Sequence, residues 1–255
     1  MTRWIRFEHA GETKFGTLDG ETIDTHQGNL FDSPSRTGEK LSLGDVQLLT
    51  PTEPSKMVAL WNNFHALAAK LQLTEPPEPL YFIKATTSFL PGGRPIRRPA
   101  VYDGKVIFEG ELGIVIGSQC SQADEAEAER CIFGYTCIND VTAVGLLHKD
   151  ASFAQWTRAK SFDTFGVFGP VVATGLDPAG LSIKSVLNGD LRQDYPVSDM
   201  IFQPVRLVSM ISRDMTLLPG DVIACGTSVG VGSMKPDSEI SIAIEGIGTL
   251  GNTFA

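Results

Sequence analysis

The 255-residue chain lacks any apolar run long enough to carry a helix across a bilayer. Its start, Met1-Thr2-Arg3-Trp4-Ile5-Arg6-Phe7-Glu8, has neither the apolar core nor the small-residue cleavage site of a secretory signal. Cysteine is sparse: Cys120, Cys131, Cys137 and Cys225 show no CxxC spacing and sit in or beside apolar stretches, as thiols do when they act as small hydrophobes. A reduced, cytoplasmic protein with no membrane partner is the expectation. Positive charge is also short, with 21 Lys and Arg against 30 Asp and Glu and a net charge of −9. Such a surface repels phosphate backbones and anionic lipid, which excludes nucleic acid as an expected partner. An anionic small molecule would then need individual cationic side chains to hold it. There is no internal repeat and no low-complexity tract.

What is present is ordinary globular composition, 42% hydrophobic and 20% charged, enough to build a sizeable core. The 15 prolines and 26 glycines are spread along the chain, which implies many turns between short strands. Residues 1–51 read as a small, strand-rich N-terminal domain. Trp4-Ile5-Arg6-Phe7 alternates, and Asp19-Gly20 marks a tight turn before Glu21-Thr22-Ile23. Ser33 to Lys40 is polar throughout, with nothing to bury. Residues 52–255 read as the main domain. Met57-Val58-Ala59-Leu60-Trp61 is a buried strand, Phe64 to Leu71 a short helix, and Val106 to Ile116 one long strand. A helix is expected over Ser121 to Cys131, capped by Ser121, and another over Pro204 to Arg213. With no regular βαβ rhythm, the fold class is α+β, mixed and mainly antiparallel.

Phe108-Glu109-Gly110-Glu111-Leu112-Gly113-Ile114 carries the first chemical signal. Residues two apart in a strand share a face, so Glu109 and Glu111 point the same way, and their apolar neighbours suggest burial. Two like charges on one buried face are costly unless a cation neutralises them; an exposed strand face beside lysines is the alternative. Asp140, in Cys137-Ile138-Asn139-Asp140-Val141-Thr142, adds a third carboxylate at an expected helix start, where capping is the alternative role. Three oxygen ligands without Cys or His suit Mg²⁺, Mn²⁺ or Ca²⁺ rather than zinc.

Glu109-x-Glu111, Asn139-Asp140-Val141, Gln155-Trp156-Thr157-Arg158-Ala159-Lys160-Ser161-Phe162-Asp163, Gly226-Thr227-Ser228-Val229-Gly230-Val231-Gly232 and Ile244-Glu245-Gly246-Ile247-Gly248 occur in that order. Together they resemble the core signature of the fumarylacetoacetate hydrolase family over about residues 52–255. The resemblance implies that family's mainly β fold and a homodimer. It also implies enolate chemistry on a small 2-oxo or 2-hydroxydienoate carboxylate. Glu109, Glu111 and Asp140 would be the ligands of Mg²⁺ or Mn²⁺, and Lys160 would line the metal site and stabilise enolate charge. Gly226 and Thr227 would contact substrate. Lys84, in Tyr81-Phe82-Ile83-Lys84-Ala85, would lie near the pocket, and Arg158 would clamp a substrate carboxylate. A surface salt bridge is the alternative for Lys160, a structural ion pair for Arg158, and a solvent-facing strand end for Lys84.

One segment departs from the family pattern. Hydrolytic members commonly carry Asn-Tyr-x-x-His-x-x-Glu, whose His–Glu pair activates water. Here Asn63-Phe64-His65-Ala66-Leu67-Ala68-Ala69-Lys70 puts Leu67 and Lys70 at those positions. His65 falls two residues early, on another helical face. His148, two helical turns beyond Asp140 if that segment is helical, is a candidate replacement base. Hydrolytic C–C cleavage of an acylpyruvate-like substrate is therefore expected alongside two alternatives. One is decarboxylation or tautomerisation of 2-oxo dicarboxylic acids; the other is an inactive metal- or ligand-binding protein.

Overall fold

The computed structural model describes residues 1–255. Strand dominates helix, and the largest element is a twelve-stranded mixed sheet. Thr2–His9, Glu12–Asp19, Thr22–Asn29 and Asp32–Ser42 form an antiparallel meander at one end of it. The meander joins the rest through Thr2–His9, which pairs with Gly166–Thr174 in the register Trp4↔Val172. The N-terminal strands therefore continue the main sheet rather than closing a separate one. Ile5, Phe7 and Ile23 are buried, as the alternating pattern requires. The polar run Ser33 to Lys40 is not a loop. It lies in an exposed strand paired on one side only, where polar and charged side chains blunt the edge.

Beyond Gly166–Thr174 the order is Ile132–Asp140, Gly110–Ile116, Val222–Ala224, Met57–Trp61 and Leu80–Lys84. Gly110–Ile116 is buried along its whole length, which its run of Leu112, Ile114, Val115 and Ile116 dictates. A four-stranded antiparallel sheet covers the site from one side, in the order Asp190–Pro196, Ser182–Leu187, Ser238–Ile244, Gly248–Phe254. A three-stranded sheet joins Thr142–Ala143, Val106–Phe108 and Gly232–Met234.

The helices are few: α1 (His65–Leu71), α2 (Glu125–Cys131), α3 (Trp156–Lys160) and α4 (Pro204–Asp214). None is long and apolar enough to cross a membrane. The start of α2 corrects the expected cap. Asp124, not Ser121, accepts from the Glu127 amide at 2.8 Å while the Glu127 carboxylate accepts from the Asp124 amide. That reciprocal pair satisfies two backbone donors at once, so the cap lies three residues later than Ser121.

Two further corrections concern the site. Val106 to Ile116 is not one strand: Val106–Phe108 belongs to the three-stranded sheet and Gly110–Ile116 to the large one, with Glu109 at the switch. Asp140 does not start a helix either. It is the last residue of the strand Ile132–Asp140 and is followed by Thr142–Ala143 and a single 3₁₀ turn. No two-turn helix joins Asp140 to His148.

Candidate active site

Backbone pairing assembles the carboxylates. Gly110 lies opposite Asn139 in the antiparallel ladder, so Glu109 falls opposite Asp140, and the Asp140 amide donates to the Glu109 carbonyl at 2.9 Å. The Asn139 side chain accepts from the Glu109 amide at 3.1 Å, replacing the ladder bond lost where the chain changes sheet. Glu109, Glu111 and Asp140 are all buried, and one carboxylate oxygen from each lies within 4.8 Å of the others. The break at Glu109 thus leaves both glutamates facing the same centre.

Two buried lysines meet them. Lys160, the last residue of α3, donates to Glu109 Oε2 at 2.8 Å and to Asp140 Oδ2, and its ammonium lies 5.5 Å from the Phe82 ring centre. Lys84, at the end of Leu80–Lys84, is fully buried and donates to Asp140 Oδ1. The structure thus rules out the solvent-facing alternative for Lys84 and the surface-bridge alternative for Lys160. Thr142 donates its hydroxyl to Glu109 Oε1 at 2.7 Å. Glu111 Oε2 accepts from the Gly226 amide at 2.8 Å, whereas Glu111 Oε1 is buried without a hydrogen-bond partner.

Electrostatics follow from three carboxylates and two ammoniums in one buried cluster. Burial pushes the Glu111 carboxyl well above the usual range, and the neighbouring Asp140 and Glu109 charges push it further. Burial also raises Glu109, against the pull of Lys160. At Asp140 the same burial is outweighed by Lys160 and Lys84, and the carboxyl stays below its ordinary value. Burial would lower the Lys160 ammonium, but Asp140, Glu109 and Glu111 outweigh it and raise it. Lys84 is lowered by burial despite Asp140. The centre is therefore short of positive charge at Glu111. Its unpartnered oxygen, within reach of two other carboxylates and no nitrogen or sulfur ligand, fits a hard divalent cation.

Around Gly110 the four-stranded sheet makes a clamp that the sequence did not announce. Gln193 Oε1 accepts from the Gly110 amide at 3.1 Å and from Ser185 Oγ at 2.7 Å. Gln193 Nε2 donates to Thr227 Oγ1 at 2.9 Å, and Thr227 donates in turn to the Gly110 carbonyl at 2.9 Å. The Tyr195 hydroxyl donates to the same carbonyl. A Cβ at Gly110 would collide with Ser185 Oγ and Ile242, which explains glycine between the two glutamates. The only trace in the sequence is Gln193-Asp194-Tyr195, where strand alternation puts Gln193 and Tyr195 on one face.

Glu109 and Thr227 also line a cavity of about 280 Å³, whose walls include Trp61, Leu67, Val144, Leu147, Trp156 and Val229. Lys70 and His148, both exposed, line it as well. Leu67 and Lys70, three residues apart on α1, thus face the same space. His65 faces elsewhere, with its Nδ1 2.6 Å from Glu75 Oε1. Arg158 is not brought to the centre. It is exposed on a separate hollow lined by Phe82, Phe153 and Trp156, because α3 is only five residues long and directs Lys160, not Arg158, inward. Arg158 thus does not face the carboxylate centre, and no carboxylate pairs with it.

Comparison with known proteins agrees with this geometry. The family model "Fumarylacetoacetate (FAA) hydrolase C-terminal" matches residues 56–255, and "Rv2993c-like, N-terminal" matches residues 2–51. The chain is 41% identical to protein Rv2993c of Mycobacterium tuberculosis over 93% of this chain and 92% of that one. It is 31% identical to the oxaloacetate tautomerase YisK of Bacillus subtilis, covering 92% of this chain and 83% of that one. Among solved structures, a 2-hydroxyhepta-2,4-diene-1,7-dioate isomerase from Mycobacterium marinum superposes with a TM-score of 0.91 at 38% identity, covering 100% of this chain and 98% of that one. With a family model matched over most of its length and this fold, the chain belongs to the fumarylacetoacetate hydrolase family.

Proposed function

We propose that this protein is a divalent-metal-dependent enzyme that interconverts the keto and enol forms of small 2-oxo acids or decarboxylates them, and that C–C hydrolysis is not its main reaction. The observation that carries this reading is the cavity itself: Glu109 of the carboxylate–lysine centre lies at its inner end beside Thr227, and Leu67 and Lys70 line it where a water-activating His–Glu pair would stand. Similarity to an oxaloacetate tautomerase and to a hydroxyheptadienedioate isomerase supports the same class.

Glu109, Glu111 and Asp140 would hold Mg²⁺ or Mn²⁺. When bound, that ion supplies Lewis-acid polarisation of the 2-oxo carboxylate head. Lys160 and Lys84 place two ammonium groups beside the same centre, where they stabilise negative charge as it develops on substrate oxygen. Gln193 and the Gly110 carbonyl fix the Thr227 hydroxyl, and Thr227 orients the substrate head. The apolar walls exclude water from the carbon that gains or loses a proton. His148, exposed on the cavity rim, is the group we assign to carry that proton.

Oxaloacetate ketonisation and decarboxylation, assayed with Mg²⁺ and Mn²⁺ beside acylpyruvate hydrolysis, test the proposal. Metal-dependent turnover of oxaloacetate with slow acylpyruvate cleavage is the expected result. Fast acylpyruvate hydrolysis abolished by His148→Ala would establish the second reading, in which His148 activates water from the same cavity.

A further inference from the structure

The exposed rim of the cavity carries charge that the chemistry at its floor does not use. Glu109 and Thr227 are buried at the inner end, Leu67, Trp61, Trp156 and Val229 form an apolar middle, and Lys70 is exposed at the outer end. The Lys70 ammonium makes no ion pair and no hydrogen bond, as is true also of those of Lys105, Lys149 and Lys235, but of these four it alone lines the cavity. On a chain with a net charge of −9, a free ammonium at the mouth of an acid-floored pocket is a local reversal of sign. Its position is fixed by helix geometry. Leu67, Lys70 and Leu71 stand three and four residues apart on α1, and all three line the cavity.

Taking the reading of the centre as a 2-oxo acid site, we infer that the rim is a subsite for a second carboxylate, and that Lys70 selects dicarboxylic over monocarboxylic 2-oxo acids. The lining has the polarity of such a molecule: polar at the floor for the 2-oxo carboxylate head, apolar along a short carbon chain, cationic at the far end. A volume of about 280 Å³ lies just below the usual range of ligand cavities, ~300–1,000 Å³, and suits a short acid rather than a long acyl chain. A glutamate at position 70 would repel the distal carboxylate that the lysine attracts. The substitution of lysine for an acid in this helix thus changes the preferred substrate as well as removing a water-activating partner. Lys70 touches the non-reacting end of the substrate, so it is a specificity residue.

Two inert ligands with the same head separate this from the reading of the centre. Oxamate presents the 2-oxo carboxylate unit alone, and N-oxalylglycine adds a distal carboxylate. Calorimetry with saturating Mn²⁺ is expected to show tighter binding of N-oxalylglycine by the native protein. In Lys70→Met the preference for N-oxalylglycine over oxamate should shrink about tenfold or more, the scale of a lost charge-assisted hydrogen bond. Lys70→Arg should keep the preference and Lys70→Glu should reverse it. Lys70 is exposed and unpaired, so these variants should fold normally. An unchanged preference in Lys70→Met, or an equal loss for both ligands, overturns the subsite while leaving the metal centre standing. If neither ligand binds the native protein with Mn²⁺ or Mg²⁺, the 2-oxo acid reading itself fails and the subsite with it.

Discussion

Gln193 reaches from the four-stranded sheet to bind Gly110, the residue between the two site glutamates, and through its other side-chain atom holds Thr227. One amide thus sets both the spacing of Glu109 and Glu111 and the direction of the Thr227 hydroxyl. Gln193→Leu should leave the buried Gly110 amide without a partner, and an orphaned buried group costs about 1–3 kcal/mol. Denaturant unfolding should show that loss, and calorimetry should show weaker Mn²⁺ binding. Unaltered metal affinity in a destabilised variant would reduce the clamp to a purely structural role.

Glu111 predicts a specific pH dependence for the metal-free protein. Burial and the Asp140 and Glu109 charges raise its folded pKa above the unfolded value. Between those two values the folded state holds a proton that the unfolded chain has released, so stability falls as pH rises across that window. Asp140, lowered in the folded state, works the other way: its contribution is lost as pH falls through its folded pKa. Mg²⁺ or Mn²⁺ should cancel the high-pH loss, adding about 2.7 kcal/mol at a hundredfold excess over Kd. Calorimetric melting at several pH values, with and without metal, checks this, and Glu111→Gln should flatten the slope. A metal-free melting temperature that does not fall with rising pH would contradict the picture of an uncompensated Glu111.

Much of the fold was legible because burial writes a period into sequence. The run Met57 to Trp61 is apolar and forms a strand inside the large sheet. The shared face of Glu109 and Glu111 was legible for the same reason, since they interrupt an apolar run, whereas Asp140 joined them only through the family resemblance. The interruption at Glu109 was not legible. Changing sheets there depends on the Asn139 side chain, thirty residues away, replacing a backbone partner. Gln193 and Tyr195 were invisible because their partners lie across two sheets, and a polar residue in an alternating strand reads as solvent-facing. The place of Arg158 was not legible from residue type, because the five-residue helix carrying it buries Ala159 and Lys160 and leaves Arg158 exposed.

Lys160 separates catalytic from structural work. It bridges Glu109 and Asp140 in a buried site, so Lys160→Met should lower turnover by about two orders of magnitude, the scale of lost charge stabilisation. The same change leaves Glu109 without an ammonium and Asp140 with Lys84 alone, and breaking a buried pair costs about 3–5 kcal/mol. Saturating metal should restore most of the stability but not the turnover. Turnover that recovers together with stability would assign Lys160 to folding alone.

The reaction type turns on α1. Leu67 and Lys70 line the cavity from one helical face, and a His–Glu pair placed there would face the same space. Leu67→His with Lys70→Glu should therefore raise hydrolysis of a monocarboxylic acylpyruvate, a substrate chosen so that losing the Lys70 charge does not weaken binding. A positioned base contributes about 10²–10⁴-fold, so an imperfectly placed pair should still give a measurable gain. Leu67 is buried, and exchanging it for histidine exposes a polar ring to an apolar wall, so some stability loss is expected. His148→Ala in the same background provides the control. If the gain survives it, the new pair activates the water; if the gain vanishes, His148 is the base in both proteins and the departure at positions 67 and 70 governs substrate choice alone.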